Sequence, residues 1–311
     1  MQSKRIIGID IAKHKCDVYH LHEQRHQCFA AKQYPDLVQA LAEARPDLVV
    51  MEATGGYERT LAGLLAAEQI PLAVVNPRQV RDFAKATNQL AKTDAIDARV
   101  IALFAEAVKI EAKPLLDQET QALRDIMERR RQLVAWRVSE ANREQQTDNP
   151  VVKQSVRAML QAVDRQLTEL DKELDDRIRK TPAWRESEEL LSSVPGVGKG
   201  TARTLMSELP ELGTLSRQKI SGLVGLAPLN HDSGKYRGTR HIRGGRSKVR
   251  AALYMAAVSA MRFNPSIREF YRRLRASGKS FKVAITACMR KLLVHLNAVM
   301  KKRTPYLQKT S

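Results

Sequence analysis

Residues 4–10 read KRIIGID and residues 48–52 read LVVME, two short apolar runs that each end on an acid, Asp10 and Glu52. Short runs dominated by Ile, Leu and Val read as strands covered on both faces. Working outward, residues 16–22 follow the first run as a second strand after a short turn, and residues 26–30 make a third. Residues 37–44 have helical spacing. So do residues 57–67, entered through Gly55 and Gly56. Leu72–Val75 is a short strand that closes at Asn76-Pro77, and Thr93 caps a helix running to about Val108. Three early strands followed by helix, strand, helix, strand, helix give an α/β layer pattern over residues 1–110.

Residues 111–191 read as almost pure helix, broken near Thr147 by Asn149-Pro150. Val156, Leu160, Val163, Leu167, Leu170 and Leu174 are spaced 4-3-4-3-4, an a/d seam. The preceding segment, around Leu123, Ile126, Leu133 and Val134, is less regular and carries Arg130 and Arg137 near its seam. The expectation is an antiparallel helical hairpin, either a coiled coil that also pairs protomers or an ordinary bundle. Residues 192–311 read as mainly helical, with a Gly-rich turn at residues 194–200, a long loop at 230–245, and helices at about 247–262, 265–275 and 281–301.

The chain has 311 residues and a formal charge of +19. Length alone suggests about two domains, at roughly 150 residues each. The charge is not spread evenly. Residues 1–110 hold 14 basic and 13 acidic residues, and residues 111–191 hold 15 and 17. Residues 192–311 hold 24 and 4, and from Ser233 onward Glu269 is the single acid. A solubilising face does not need acids to be excluded in this way, so the pattern points to a polyanionic partner. A 43% apolar content allows a real core and argues against a disordered chain. The stretch 251–261 is too short for a bilayer span of roughly 20 helical residues. No signal-peptide pattern precedes Asp10. Cys16, Cys28 and Cys288 form no CxxC pair, which suits a reducing cytoplasm.

Asp94 and Asp97 are spaced i, i+3 and share one face at a helix start. If the first and fourth strands are neighbours, Asp10 and Glu52 come together at their ends, and that helix can add its two aspartates. Clustered carboxylates raise one another's pKa unless cations neutralise them. An all-oxygen donor set suits Mg²⁺ or Mn²⁺, which usually bind substrate phosphates as well. Singly, Asp94 would be no more than a charge at a helix N-terminus, and Asp10 no more than a strand-end residue.

The segments IIGIDIAK with Asp10, VVMEATGGY with Glu52, VNPRQVRDFAKA, and LAKTDAIDARVIA with Asp94 and Asp97 closely resemble the DEDD transposases of the insertion sequence one-ten and eleven-eleven group, relatives of the Piv-type invertases. The resemblance continues through SVPGVGKGTA, GLVGLAPLNHDSGKYRGTRHIRGGRSKVRAALYMAA and FKVAITACMRKLLVHLNA, and is weakest over the helical middle. It implies an RNase H-like (RuvC-like) domain over 1–110, a helical coiled-coil insertion over 111–191 and a mainly α, basic transposase domain over 192–311. It implies that Asp10, Glu52, Asp94 and Asp97 hold Mg²⁺ or Mn²⁺, and that the serine of the SG pair, here Ser233, is the nucleophile. It further implies cutting and rejoining of donor and target double-stranded DNA through a phosphoserine, guided by an element-encoded RNA. The working form would be a homo-oligomer, dimer or tetramer, in which one protomer's acidic site meets another's serine, in the bacterial cytoplasm.

Chemistry alone would have left Ser233 as a turn residue before Gly234. A serine hydroxyl needs a base, a lowered pKa or a metal to attack phosphorus; His231, Asp232, Lys235 and Arg237 lie beside it in sequence. Residues 194–200, VPGVGKG, are similar to a helix-hairpin-helix turn whose helix N-terminus, at Lys199, can bind a phosphate; a plain helix–helix turn has the same composition. The stretch lacks Walker spacing, so it does not indicate ATP. Lys235, Arg237, Arg240, Arg243, Arg246, Lys248 and Arg250 crowd the loop and the next helix start, and Arg272 and Arg273 belong to a second basic cluster. Such residues supply salt-dependent phosphate affinity. Tyr236, Tyr254, Phe270 and Tyr271 lie among them as stacking candidates, but the helical spacing of Tyr254 and Phe270 with other apolar residues places these two in the core. His14, Cys16, His20, His22, His26 and Cys28 lack zinc-ligand spacing.

Three competing functions share parts of this pattern. A RuvC-like structure-specific DNA nuclease would use the same carboxylates with water and would not need Ser233. A nucleic-acid-binding protein with a dead acidic site would show no metal dependence. An actin-like ATPase would share IIGIDIA but needs further Gly-rich phosphate loops, which the sequence does not supply.

Overall fold

The computed structural model describes residues 4–89, 93–113, 115, 117–230, 232–233, 236–238 and 240–307. They fall into two compact units, Met1–Leu116 and Asp117–Ser311.

In the first unit, β1 (Ile6–Ile11), β2 (Lys15–His20), β3 (Arg25–Ala30), β4 (Leu48–Glu52) and β5 (Leu72–Val75) form one mixed sheet in the order β3-β2-β1-β4-β5. β1 and β3 run antiparallel to β2, while β1, β4 and β5 are mutually parallel. Four helices accompany the sheet: α1 (Tyr34–Ala44), α2 (Glu58–Ala67), α3 (Pro77–Ala86) and α4 (Asp94–Val108). The period-two alternation of β1 sorts its side chains between two cores. Ile7, Ile9 and Ile11 pack with Leu37 and Leu41 of α1 and Leu61 and Leu65 of α2. Ile6, with Leu48 and Val50 of β4, packs with Val80 of α3 and Ala98, Ile101 and Ala102 of α4.

Gly8 sets the position of α4. A Cβ at this position would stand 2.3 Å from the Ala98 carbonyl oxygen and 2.6 Å from the Ala102 nitrogen. Only glycine lets the helix backbone lie directly against the strand. Asp10 is two residues further along the same face of β1, towards the N-terminal turn of α4.

The structure adds α3, which was not anticipated. Asn76-Pro77 reads as a strand breaker, but the same pair is also a helix start. The Asn76 side chain accepts a hydrogen bond from the Arg78 amide at 2.9 Å, and Pro77 occupies the first helical position, where no N–H is needed. For a related reason α1 begins three residues before the expected start, with Pro35 in its first turn.

In the second unit α5 (Gln118–Gln146) and α6 (Pro150–Lys180) pack side by side. Asn149 caps α6 through the amides of Val151 and Val152. Along α6, Val156, Val163 and Leu174 are buried, and Leu160, Leu167 and Leu170 are half-buried. Ion pairs Arg130–Asp171, Arg137–Asp164 and Arg157–Glu144 step along both helices in opposite directions, so the two run antiparallel. The arginines near the expected seam therefore sit at its margin, paired with acids of the facing helix. Such part-exposed pairs fix register more than they add stability.

α7 (Pro182–Ser192), α8 (Lys199–Glu208), α9 (Arg217–Val224), α10 (Ser247–Phe263), α11 (Pro265–Ala276) and α12 (Phe281–Lys302) share one core that includes Leu191, Leu205, Ile220, Leu253, Ile267, Leu292 and Leu296. α12, rather than residues 251–261, is the stretch long and apolar enough by composition to cross a membrane. Its Ile285, Cys288, Met289, Leu292 and Leu296 are buried in this core. At the centre of the unit Arg203 is 6% exposed, and its guanidinium donates to Glu188 at 2.6 Å and to Asp175. It ties α8 to both α6 and α7. A small hairpin, β6 (Asp232–Ser233) with β7 (Tyr236–Arg237), lies between α9 and α10.

Candidate acidic site and serine hairpin

The sheet register builds the acidic site. Gly8 pairs with Val50 and Ile9 with Met51 in the parallel β1–β4 ladder, so Asp10 and Glu52 follow at adjacent strand ends. Both are on the α4 face, two residues beyond Gly8 and Val50. Carboxyl ends of neighbouring strands are where open sheets leave a ligand crevice. The chain after β4 is fixed locally. The Glu58 carboxylate accepts from the amides of Thr54 and Gly56 at 3.0 and 2.9 Å, and the Thr54 hydroxyl donates to the Glu52 carbonyl at 3.2 Å.

α4 brings the other two acids. The Thr93 hydroxyl accepts from the Ile96 amide at 3.3 Å, and the Thr93 carbonyl accepts from the Asp97 amide at 2.9 Å. This cap starts the helix so that Asp94 and Asp97 both lie in its first turn, where the helix dipole favours negative charge. Burial, and after it the charges of Asp97, Glu52, Asp94 and Asp17 in that order, push the Asp10 carboxyl from 3.8 up to about 6. The charges of Glu52, Asp94 and Asp97 thus all bear on Asp10.

Two neighbours of the site were not anticipated. Asp17 is the direct cross-strand partner of Asp10 in the β1–β2 ladder and is 5% exposed. His26 of β3 bonds it through Nε2 at 2.8 Å. Lys15, the first residue of β2, reaches Asp94 Oδ2 at 2.6 Å and Asp17 Oδ2 at 3.2 Å. Those two bonds, Asp94's first, hold the Lys15 ammonium above its usual range. The signal was legible in principle, because an antiparallel hairpin that pairs Ile11 with Cys16 must set Asp10 opposite Asp17. Cys16 lies on the other face, in the α1–α2 core, and burial pushes its thiol up to about 12.

Among the described residues no three Asp, Glu, His or Cys side chains converge closely enough to hold an ion unaided. The donor set still fits a hard divalent cation. Every candidate ligand is a carboxylate oxygen, Asp10 is raised by burial and then by its like-charged neighbours, and a side-chain cation already lies against Asp94. Mg²⁺ is ordinarily held by one or two carboxylates, with water and substrate phosphate completing the shell.

Ser233 pairs with Tyr236 across the β6–β7 hairpin and is exposed. His231, Gly234 and Lys235 lie outside the described residues, and of Arg237 the structure describes the strand position alone. The loop carrying the hairpin is pinned at its base. Leu229 donates its amide to the His241 carbonyl at 2.9 Å. Gly245 stands so close to α9 that a Cβ there would meet the Gly225 nitrogen at 2.3 Å. Arg250 donates to the carbonyls of Val224 and Gly244.

The basic candidates divide by what they touch. Arg246 grips Glu211 with both terminal nitrogens at 2.6 Å and donates to the Glu208 carbonyl at 2.8 Å. Lys248 bonds Glu128 at 2.7 Å and Glu208 at 2.9 Å. With Arg250, these two hold the loop base to α8, α9 and α5. Lys199 begins α8 after the Gly198 cap, is largely exposed, and lies 3.8 Å from Asp175. Arg240, Arg243, Arg272 and Arg273 are exposed, with Arg273 5.4 Å from the Phe270 ring centre. Phe270 packs against the core as its spacing suggested, whereas Tyr254 is 39% exposed and turns outward.

Residues 7–147 match a DEDD transposase family model of the IS110 group, described as a transposase, and residues 188–272 match one described as a transposase of the IS116/IS110/IS902 family. Pilin gene-inverting proteins of Moraxella bovis and Moraxella lacunata are each 30% identical to this chain, covering 98% of it and 98% of their own length. An uncharacterized 43.6 kDa protein of insertion element IS110 from Streptomyces coelicolor is 29% identical over 50% of the chain and 38% of its own length. Among solved structures, Thermus thermophilus RuvC aligns over 35% of this chain and 99% of its own, with 15% identity and a TM-score of 0.29.

Proposed function

Because the chain belongs to the IS110-type DEDD transposase and recombinase family, we propose that it cuts and rejoins DNA strands through a phosphoserine at Ser233, with Asp10, Glu52, Asp94 and Asp97 holding Mg²⁺ or Mn²⁺. The observation that carries this reading is the acidic site. Asp10 and Glu52 end adjacent parallel strands under the acidic first turn of α4, and burial first, then the charges of Asp97, Glu52 and Asp94, raise Asp10. The sheet order, with an antiparallel β1–β2–β3 meander followed by β4 and β5 parallel to β1, supports an RNase H-like assignment of residues 1–110. Residues 111–191, with their antiparallel α5–α6 pair, serve as the coiled-coil segment, and residues 192–311 as the basic transposase domain. The protein acts in the bacterial cytoplasm as a dimer or tetramer.

In the reaction the Ser233 oxygen forms a bond to the scissile phosphorus, and one phosphorus–oxygen bond to a deoxyribose breaks. The serine proton passes to solvent, and the departing deoxyribose oxygen takes one up. Rejoining reverses these steps when a DNA hydroxyl attacks the phosphoserine. The phosphodiester energy is kept in the covalent link, so no ATP is required. A divalent ion, when bound, supplies Lewis acidity for charge that develops on the phosphate oxygens. The Ser233 hairpin presents its hydroxyl at an exposed position on a loop whose base is fixed by Arg246, Lys248 and Arg250. The exposed Arg240, Arg243, Arg272 and Arg273, with Lys199 at the start of α8, bind phosphates of the donor and target duplexes and of an element-encoded guide RNA.

The test is a pair of substitutions assayed on DNA carrying element ends with Mg²⁺. Asp97→Ala is expected to remove cleavage. Ser233→Ala is expected to remove covalent joining while nucleic-acid binding persists. Ser233→Ala enzyme that still cuts and leaves free ends would support the hydrolytic, RuvC-like nuclease instead.

A further inference from the structure

Lys15 has no part in the scheme above, yet its ammonium is paired with one of the four acidic residues. It sits at the first position of β2, on the strand that borders β1, and its ammonium bonds Asp94 Oδ2 at 2.6 Å and Asp17 Oδ2 at 3.2 Å. Asp17 is itself held by His26, so it is a fixed anchor rather than a mobile surface acid. Asp94 is different. Its side chain is about half exposed, at the first position of α4, and can turn without disturbing the core. One carboxylate of the pair bound by Lys15 is thus a proposed metal ligand, and the other is not.

We propose that Lys15 is a built-in counter-cation that occupies Asp94 until a divalent ion displaces it. The ammonium and the ion draw on the same carboxylate, and their positive charges repel each other, so the ion is held more tightly once Lys15 leaves Asp94. Displacement leaves Lys15 tethered to Asp17, which keeps the ammonium beside the site without blocking it. The arrangement holds the acidic residues together in the metal-free protein at the cost of divalent-ion affinity. Lys15 acts here through Asp94 and is a positioning residue. The inference rests on the assignment of the acidic site as a metal site.

The experiment measures Mn²⁺ binding to the full-length protein, without DNA, by the electron paramagnetic resonance signal of free Mn²⁺. Lys15→Met keeps the length of the side chain and removes its charge. It is expected to bind Mn²⁺ at least about fivefold more tightly, because one competing unit charge near 4 Å is worth about that factor even at the dielectric of water. Lys15→Arg, which keeps the cation, is expected to gain nothing. Asp97→Asn serves as the reference for the site and is expected to weaken Mn²⁺ binding. Unchanged or weaker binding by Lys15→Met, with Asp97→Asn weakened, overturns the role of Lys15 and leaves the acidic site intact. Unchanged binding by Asp97→Asn overturns the site assignment and the Lys15 proposal with it.

Discussion

Asp10→Asn tests the electrostatics of the acidic site without any substrate. The Asp10 carboxyl is raised from 3.8 to about 6, so the folded protein holds this proton more tightly than the unfolded chain does. Below about pH 4 both states are protonated there, and the group contributes nothing to stability. Between about pH 4 and 6 the unfolded chain releases its proton first, and stability falls as pH rises. Above pH 6 the full cost is present and constant. The shift of about two units converts to at most about 3 kcal/mol at 1.36 kcal/mol per unit. Asp10 is partly exposed, and solvent screening reduces this to roughly 1–2 kcal/mol. Asn resembles the protonated acid, so Asp10→Asn should be more stable than the natural protein by that amount at pH 7.5. For a unit of this size that is about 4–8 °C in the melting temperature. The assay is calorimetric unfolding in a chelator, at pH 7.5 and again at pH 3.5, following the transition of the N-terminal unit. The stabilisation should be present at pH 7.5 and absent at pH 3.5. Mg²⁺ should narrow the gap at pH 7.5 by stabilising the natural protein. A variant that is equally or less stable at pH 7.5, or a gap indifferent to pH, would refute the reasoning.

Other substitutions probe the scaffold. Gly8→Ala forces a Cβ into the α4 backbone at Ala98; it should cost about 1–3 kcal/mol through overpacking and depress metal-dependent cleavage, which melting and cleavage assays check together. Arg203→Met leaves Glu188 and Asp175 without their shared cation, and a loss of about 3–5 kcal/mol in denaturant unfolding is expected, because Glu188 is nearly buried. Arg243→Ala should weaken nucleic-acid binding uniformly across sequences and lower the salt slope of binding by about 1, whereas Arg246→Ala should mainly lower the melting temperature through its lost Glu211 contact. RNA copurified with the protein should be a discrete species; random cellular RNA would count against guided targeting.

Much of the α/β alternation of the first 110 residues was legible because β1, β4 and β5 are short apolar runs, α2 has a glycine entry and α4 a threonine cap. Asp10, Glu52, Asp94 and Asp97 stood out because acids end buried runs or open a helix. α3 was not legible, because Asn76-Pro77 can close a strand or open a helix, and only the Asn76–Arg78 bond distinguishes the two. Lys15 and Asp17 were missed for a different reason. Their partnership depends on the β1–β2 register and on where α4 lies, and α4 is placed by the absence of a side chain at Gly8. The basic surface was legible as a total but not in its parts. Composition cannot separate Arg246 and Lys248, which are paired with glutamates, from Arg240 and Arg243, which face outward. Ser233 was legible through family resemblance alone; its residue type and neighbours suit any turn.

The central claim is a serine-linked reaction that depends on the acidic site. It is tested most directly by mass spectrometry of the protein after reaction with DNA carrying element ends. A nucleotide-bearing phosphate on Ser233 is predicted, formed with Mg²⁺ and absent both in chelator and in Asp97→Ala. Cleaved DNA with free ends and an unmodified Ser233 would contradict it.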